Sequence, residues 1–171
     1  MKPSLATLAI ATAMAASLGA AQAKSISQKA EADQVITMGS NEPAMAKALA
    51  QAKKTLPDFL QKAAKPAPGT ETYMLKVALT DGKNTEYFWM GDFEARGDLY
   101  EATLANTPAL VRGYRNGQRI QFKPAQIVDW MYLEPAKNRM HGNFTACALL
   151  SKEPPKEAEA FKKQYGLRCE E

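Results

Sequence analysis

The stretch "ETYMLKVALTDGKNTEYFWM", residues 71–90, decides the fold. Every second residue over 73–79 is a large apolar one, and strand side chains point alternately to two faces, so this segment predicts a strand with one buried face. Asp81-Gly82 begins a tight turn because glycine accepts a positive φ at little cost. Residues 85–90 then return as the partner strand. Their run of aromatic residues suggests that both faces of this second strand are covered.

A helix is predicted before this hairpin. "SNEPAMAKALAQAKK", residues 40–54, offers Ser40 or Asn41 as an N-cap and a proline near the first helical position. Apolar residues then recur at intervals of three and four, as on one side of a helix. Pro57 interrupts this stripe because proline lacks a backbone donor and crowds the preceding turn. We expect a kinked helix or two abutting helices. The stripe is formed by Met45, Leu49, Ala52, Leu56, Phe59 and Leu60.

Further strands are predicted after the hairpin. A turn at residues 96–98 leads into a third strand, and residues 106–108 suggest a short capped turn of helix. A strand over 120–122 follows, and "AQIVDWMYL", 125–133, is rich in the branched and aromatic residues typical of strands. We expect "GNFTACALL", 142–150, to bring the chain back as another strand.

The chain closes with an amphipathic helix over "PPKEAEAFKKQYG", residues 154–166, which has proline near its start and glycine just past its end. Helix, strands joined by short turns, then helix is the α+β pattern with a mostly antiparallel sheet. The two helices should pack on that sheet. We expect one domain over residues 39–171, since this length suits one core and not two.

Several blocks resemble the YegJ-like bacterial family, a domain of unknown function. The resemblance covers about residues 35–150, so the closing helix is expected to be a C-terminal extension beyond it. It implies the fold and no established activity. The chain differs in having His141 before the glycine of the last block, and in its cysteine-bearing tail. The matching residues are Phe88 and Trp89; Asn106, Pro108, Leu110 and Val111; Gly117 and Ile120; and Asp129 to Tyr132.

The N-terminus predicts export. Residues 1–23 combine a positive start at Lys2, an alanine-rich apolar stretch and "AQA", which is the pattern of a secretory signal peptide cleaved before Lys24. An uncleaved membrane anchor is the alternative, but the apolar stretch is short for a bilayer span. Residues 24–38 are expected to be a flexible lead-in. The mature protein should be periplasmic or secreted, with no membrane span.

The charge pattern argues against a nucleic-acid partner. Without Lys2 the chain has 21 basic and 18 acidic residues, and they are interspersed. A nucleic-acid binder needs denser basic clustering. One acid-free basic run comprises Arg112, Arg115, Arg119 and Lys123. It indicates a solvated surface or, alternatively, a weak preference for anionic partners.

The two cysteines, Cys147 and Cys169, favour a disulfide, because an exported chain with an even cysteine count meets oxidising conditions. Two alternatives stay open. Cys147 could be a nucleophilic thiol assisted by His141, or both cysteines could be unpaired and structural.

His141 is the one side chain whose ordinary pKa lies near neutrality, and with Asp129 it could form an acid–base pair. However, "KNRMHGN" predicts that His141 lies in a surface turn. No serine lies in a nucleophile-elbow sequence. The chain also lacks the ligand spacing of a zinc or calcium site and any phosphate-binding glycine loop, so we expect no metal and no cofactor.

Asp129 lies in a strand that is apolar on both faces, so it must find hydrogen-bond donors. It either accepts hydrogen bonds from backbone amides or an arginine, or it faces a ligand in a cleft lined by Trp89, Trp130 and Tyr132. We therefore expect an exported, non-catalytic module that binds an envelope protein or a small ligand. The alternatives are a hydrolase-like acid–base enzyme using Asp129 and His141, and a protein that stabilises an assembly.

Overall fold

The computed structural model of the protein describes residues 41–169. The predicted signal peptide at 1–23, the lead-in at 24–38 and the proposed cap Ser40 lie outside these residues.

The first helix, α1, is Pro43–Ala64, and it begins at the proline that the sequence placed there. Glu42 occupies the N-cap position, so the cap predicted at Asn41 is wrong. The helix continues through Pro57 without dividing in two. A proline removes one helical hydrogen bond, and packing of the following turn offsets that loss, since Phe59 is fully buried.

In the described part of the chain, six strands form one sheet in the order β4-β3-β2-β1-β5-β6, and every neighbouring pair is antiparallel. This confirms the α+β class and the central hairpin. The strands are β1 Glu71–Thr80, β2 Thr85–Arg96, β3 Leu99–Leu104, β4 Arg119–Phe122, β5 Ile127–Glu134 and β6 Arg139–Gly142.

One face of the sheet, here called the covered face, packs against α1. Leu75 pairs with Met90 on β2 and with Trp130 on β5, and the Phe59 ring stacks on Trp130 at 4.9 Å. All four side chains are buried in the main core. Other core residues on this face are Val77, Leu79, Phe88, Ala102, Leu104, Ile120, Phe122 and Tyr132.

The opposite side of the sheet, here called the open face, carries Lys76, which pairs with Trp89 on β2 and Asp129 on β5. The prediction that β2 is covered on both sides is wrong. Tyr87 is 45% exposed and Trp89 is partly buried, because α1 packs on the other face.

The predicted return strand over 142–150 is also wrong beyond its first residue. Strand β6 ends at Gly142, and a second helix, α2, spans Phe144–Leu150. Gly142 has φ +77°, and a Cβ there would overlap the Trp130 carbonyl oxygen, so the chain turns sharply out of the sheet. The alanine and leucine residues of α2 are good helix formers.

Two smaller predictions also fail. His141 lies inside β6 opposite Tyr132, and the turn that precedes it is a 3-10 helix at Pro135–Lys137. Residues 106–108 form no helix, because the segment between β3 and β4 is an irregular loop anchored by side chains of the first hairpin.

The last helix, α3, is Pro155–Tyr165, and Gly166 ends it with φ +65° as predicted. It lies beside β6 and packs against α2, with Phe161 and Leu167 in a second apolar cluster. Cys147 of α2 and Cys169 are joined by a disulfide across a Cα–Cα distance of 5.4 Å. This confirms the predicted bridge, which leaves Cys147 without a thiol.

Candidate functional site

The four predicted binding residues do not line one cleft. The strand register places Trp89 and Asp129 on the open face, whereas Trp130 pairs with Leu75 on the covered face. Tyr132 lies two residues beyond Trp130 and shares its face. The sheet therefore separates the set into an outer pair and an inner pair.

The inner pair is part of the core. Trp130 is 7% exposed, and its Nε1 donates to the Ala52 carbonyl oxygen and to Thr55 Oγ1, both at 3.2 Å. Tyr132 stacks on Tyr73 with ring centres 5.0 Å apart. The rings tie α1 to the sheet, and the indole donor is satisfied by the helix itself.

His141 is engaged on the covered side of β5. Its ring stacks on Tyr132 at 4.3 Å, and its Nε2 lies 3.3 Å from Glu134 Oε2. Glu134 also contacts Lys137 Nζ at 2.6 Å, and the hydrogen bond from that ammonium lowers the pKa of the Glu134 carboxyl. Asp129 lies on the other face and three residues before Tyr132, so the fold does not assemble the proposed acid–base pair.

Asp129 is 1% exposed and its carboxylate is well supplied with donors. Its Oδ2 accepts from the backbone N–H of Thr145 at 2.8 Å and from Thr145 Oγ1 at 2.7 Å, while Oδ1 accepts from the Trp130 N–H at 2.9 Å. The expectation that this acid accepts hydrogen bonds from backbone amides is thus confirmed. The contacts fix the start of α2 against β5.

Lys76 extends this arrangement toward the open face. Its Nζ donates to Thr145 Oγ1 at 3.0 Å and lies 5.1 Å from the centre of the Trp89 ring, a cation–π distance. Burial raises the pKa of Asp129 against the opposing attraction of Lys76, and burial lowers the pKa of Lys76. Lys76 was not among the predicted site residues, although a lysine between Leu75 and Val77 in an alternating strand was a visible signal.

Besides Asp129, the fold contains another buried acid, and the sequence patterns did not predict it. Glu86 is 4% exposed on the covered face, and its Oε2 accepts from the backbone N–H groups of Leu110 at 2.9 Å and Val111 at 3.1 Å. Its Oε1 accepts from the Ala109 N–H at 3.0 Å. The carboxylate therefore holds the loop between β3 and β4 through main-chain contacts, which sequence patterns do not reveal.

The described part of the chain contains neither a metal-binding cluster nor a helix suited to crossing a membrane. Within residues 41–169, no three His, Cys, Asp or Glu side chains come together in a way that could hold a metal ion. Over the same range, no helix has both the length and the apolar character that a bilayer crossing requires.

Comparison with known proteins assigns a family. Residues 42–169 match the DUF2314 family, described as uncharacterized proteins conserved in bacteria. The match includes α3, which lies beyond the predicted extent of the resemblance at about residues 35–150. The chain is also 29% identical over 130 residues to the uncharacterized protein YegJ of Escherichia coli strain K12, covering 76% of this chain and 82% of that protein. No solved structure matches. The chain therefore belongs to the DUF2314 family of bacterial proteins.

Proposed function

We propose that this protein is an exported, non-catalytic binding module that holds another envelope protein on its open face. The observation that carries the proposal is the exposure of a large aromatic side chain: Tyr87 is 45% exposed beside the partly buried Trp89 and Lys76. Aromatic side chains are enriched at protein interfaces because they offer large apolar area together with a polar group. The three residues form a surface that a partner would cover.

The polar groups near this surface support binding rather than catalysis. Both oxygens of Asp129 are occupied by main-chain or hydroxyl donors. Thr145 Oγ1 donates to that carboxylate and accepts from Lys76. A general base needs a free lone pair directed at a substrate, and this cluster is internally satisfied.

The chemistry of the surface suggests what it binds. A partner segment with apolar side chains would cover Tyr87 and Trp89, and a carboxylate on that segment would complement the Lys76 ammonium. We therefore take the occupant to be a polypeptide segment that is apolar and carries at least one acidic residue.

Two features support export. The leader at 1–23 has the charge, apolar stretch and small residues of a cleavable signal. The Cys147–Cys169 bridge suits an oxidising compartment. Cell fractionation and N-terminal sequencing test this: the envelope fraction should contain a chain that starts at Lys24, and a cytosolic chain starting at Met1 would contradict it.

Site-specific photo-crosslinking in living cells tests the binding surface. A photoreactive residue at position 87 should give a cross-link to an envelope protein, mapped by mass spectrometry to an apolar segment with an acidic residue. The product should be lost in the Trp89→Ala background. Position 58, an exposed site on α1, is the matched control.

Three outcomes would overturn the proposal: a cross-link only within the chain, a cross-link to a second copy, or the same products from positions 87 and 58. A second copy would instead support the structural alternative, in which the protein stabilises an assembly.

A further inference from the structure

We propose that the loop of residues 106–115, here called the clasped loop, is a second and separate docking surface, preformed to bind an acidic segment of another protein. It uses residues that the open face does not contain. The proposal rests on how firmly the loop is held and on what the loop presents to solvent.

Glu86 supplies the first anchor. Its buried carboxylate accepts from three successive main-chain N–H groups of the loop, those of Ala109, Leu110 and Val111, at 2.9 to 3.1 Å. Val111 is itself 5% exposed and belongs to the main core. The loop has no helix or strand of its own, so these contacts set its conformation.

Asp81, in the turn of the first hairpin, supplies the second anchor. Its Oδ2 accepts from the Arg112 N–H at 3.1 Å, while Oδ1 accepts from the N–H groups of Lys83 at 2.9 Å and Asn84 at 2.8 Å. Tyr114 adds a hydrogen bond from its hydroxyl to the Thr80 carbonyl oxygen at 3.3 Å. A loop fixed before binding loses little conformational entropy when a partner arrives, which favours affinity.

The fixed loop presents an apolar group next to cations. Leu110 is 46% exposed, although the residues on both sides of it are held by Glu86. Lys83 and Arg112 hydrogen-bond through their main chains to the same Asp81 carboxylate, so their exposed side chains start close together. Arg115 is exposed a few residues further along the loop.

The positive charge of this surface is available to a partner. Within residues 41–169, Lys83, Arg112 and Arg115 form no salt bridge. The two acids that hold the loop, Asp81 and Glu86, already accept hydrogen bonds from main-chain N–H groups. Arg112 and Arg115, which belong to the basic run noted in the sequence, therefore lie in one surface patch together with Lys83 and Leu110.

These features match a polypeptide that carries one apolar side chain between carboxylates. The leucine would give the contact its apolar centre, and the cations would pair with acidic residues at the rim. Three cations in an otherwise mixed surface are too few for a nucleic-acid backbone. One exposed leucine is too little apolar area for membrane insertion.

Fluorescence anisotropy with labelled peptides tests the proposal on the protein purified from the cell envelope with its disulfide intact. One probe is a twelve-residue peptide of glutamates around a central leucine, and its matched control has lysine in place of each glutamate. The glutamate peptide should bind saturably and the lysine peptide should not. Vesicles of phosphatidylcholine with phosphatidylglycerol form a separate arm.

The variant Lys83→Gln/Arg112→Gln should weaken binding of the glutamate peptide about tenfold, the scale expected from losing two exposed charge contacts. Leu110→Ser should weaken it as well. Lys53→Gln/Lys54→Gln removes two exposed charges from α1 and should leave binding unchanged, as should Trp89→Ala on the open face. Thermal melting verifies that every variant is folded.

Several results would overturn the proposal. They are no binding of the glutamate peptide, equal binding of both peptides, and equal loss in the α1 control. Vesicle binding that depends on Lys83 and Arg112 would assign the patch to a membrane instead. Because Trp89→Ala is included, failure of the clasped loop is distinguishable from failure of the open face.

Discussion

Within residues 41–169 two carboxylates are buried, those of Glu86 and Asp129, and their surroundings differ. Glu86 lies on the covered face and accepts hydrogen bonds from the main chain of one loop. Asp129 lies on the open face and accepts from Thr145 and from the main chain, with Lys76 close by on the neighbouring strand. The negative charge of Glu86 is stabilised by main-chain amide dipoles, and that of Asp129 is stabilised partly by the Lys76 ammonium.

This difference separates two structural roles. The main-chain contacts of Glu86 determine the path of an irregular loop and do not depend on the side chains of that loop. The contacts of Asp129 join three elements, namely β1 through Lys76, β5, and α2 through Thr145. Loss of Glu86 should therefore disturb one loop, whereas loss of Asp129 should disturb the packing of the domain.

The largest predicted effect is that of Asp129→Ala. This change leaves the Thr145 amide without its acceptor and Lys76 without the nearby negative charge. Asp129 accepts from three buried donors, and each buried donor left without an acceptor costs about 1 to 3 kcal/mol, so we expect a loss of at least about 3 kcal/mol in the free energy of unfolding. Denaturant unfolding measures it, with the exposed Glu71→Ala as control at under about 0.5 kcal/mol. A loss below about 1 kcal/mol for Asp129→Ala would show that the cluster is not a structural one.

Reduction of the disulfide should come next. The bridge spans 22 residues and ties α2 to the tail, and closing a loop of that size stabilises a fold by roughly 3 kcal/mol in the chain-entropy model. Because α2 also carries Thr145, hydrogen exchange should increase at the Thr145 amide and stay unchanged at the Leu110 amide. The Cys147→Ala/Cys169→Ala variant should show no further response to reductant. Equal loosening at both amides would mean that the two regions are not independent.

Glu86→Gln should have a smaller and more local effect. The amide keeps one acceptor oxygen and turns a donor toward main-chain N–H groups, which should cost about 2 kcal/mol. Hydrogen-exchange protection should fall at residues 109–111, while the Thr145 amide keeps its protection. Glu94→Gln, at an exposed position of the same strand, is the control. Uniform loss of protection across the sheet would contradict a role confined to the clasped loop.

The sequence was informative where one periodicity applied along a whole element. Alternation over 73–79 correctly predicted the buried side of β1, and the spacing of apolar residues on α1 correctly predicted its inner stripe. The same logic failed at residues 144–150, because a short apolar run of alanine, leucine and phenylalanine suits a buried strand and a buried helix equally. The left-handed conformation of Asn143 and the close approach of Gly142 to Trp130 decide between them, and both are tertiary facts.

In the candidate site, too, local sequence patterns predicted the residue, and only the tertiary fold revealed its partners. Asp129 was recognised as buried because its neighbours along the strand are apolar, and the need for donors followed from its charge. The partners Lys76 and Thr145 come from other elements, so only the strand register and the path of α2 could identify them. Glu86 was missed because the aromatic residues that follow it suggested a strand buried on both sides, which drew no attention to an acid at its start.

The smallest predicted effect is a difference in how the two regions respond to acid. Three main-chain hydrogen bonds lower the pKa of Asp81 from 3.8 to about 2, so the stability that this carboxylate contributes is present above pH 3.8 and is lost as the pH falls toward 2. The pKa of Asp129 is raised, so its ionisation disfavours the folded state, and protonation in acid relieves that cost.

Acidification from pH 4 to pH 2 should therefore loosen the clasped loop before it loosens α2. Hydrogen-exchange protection factors should fall at the Lys83 and Arg112 amides while the Thr145 amide stays protected. The Asp81→Asn variant should flatten the pH dependence of the free energy of unfolding over the same interval, because the group that takes up the proton is gone. If wild type and Asp81→Asn lose stability in parallel, or if Thr145 loses its protection first, the hairpin turn does not anchor the loop through this carboxylate.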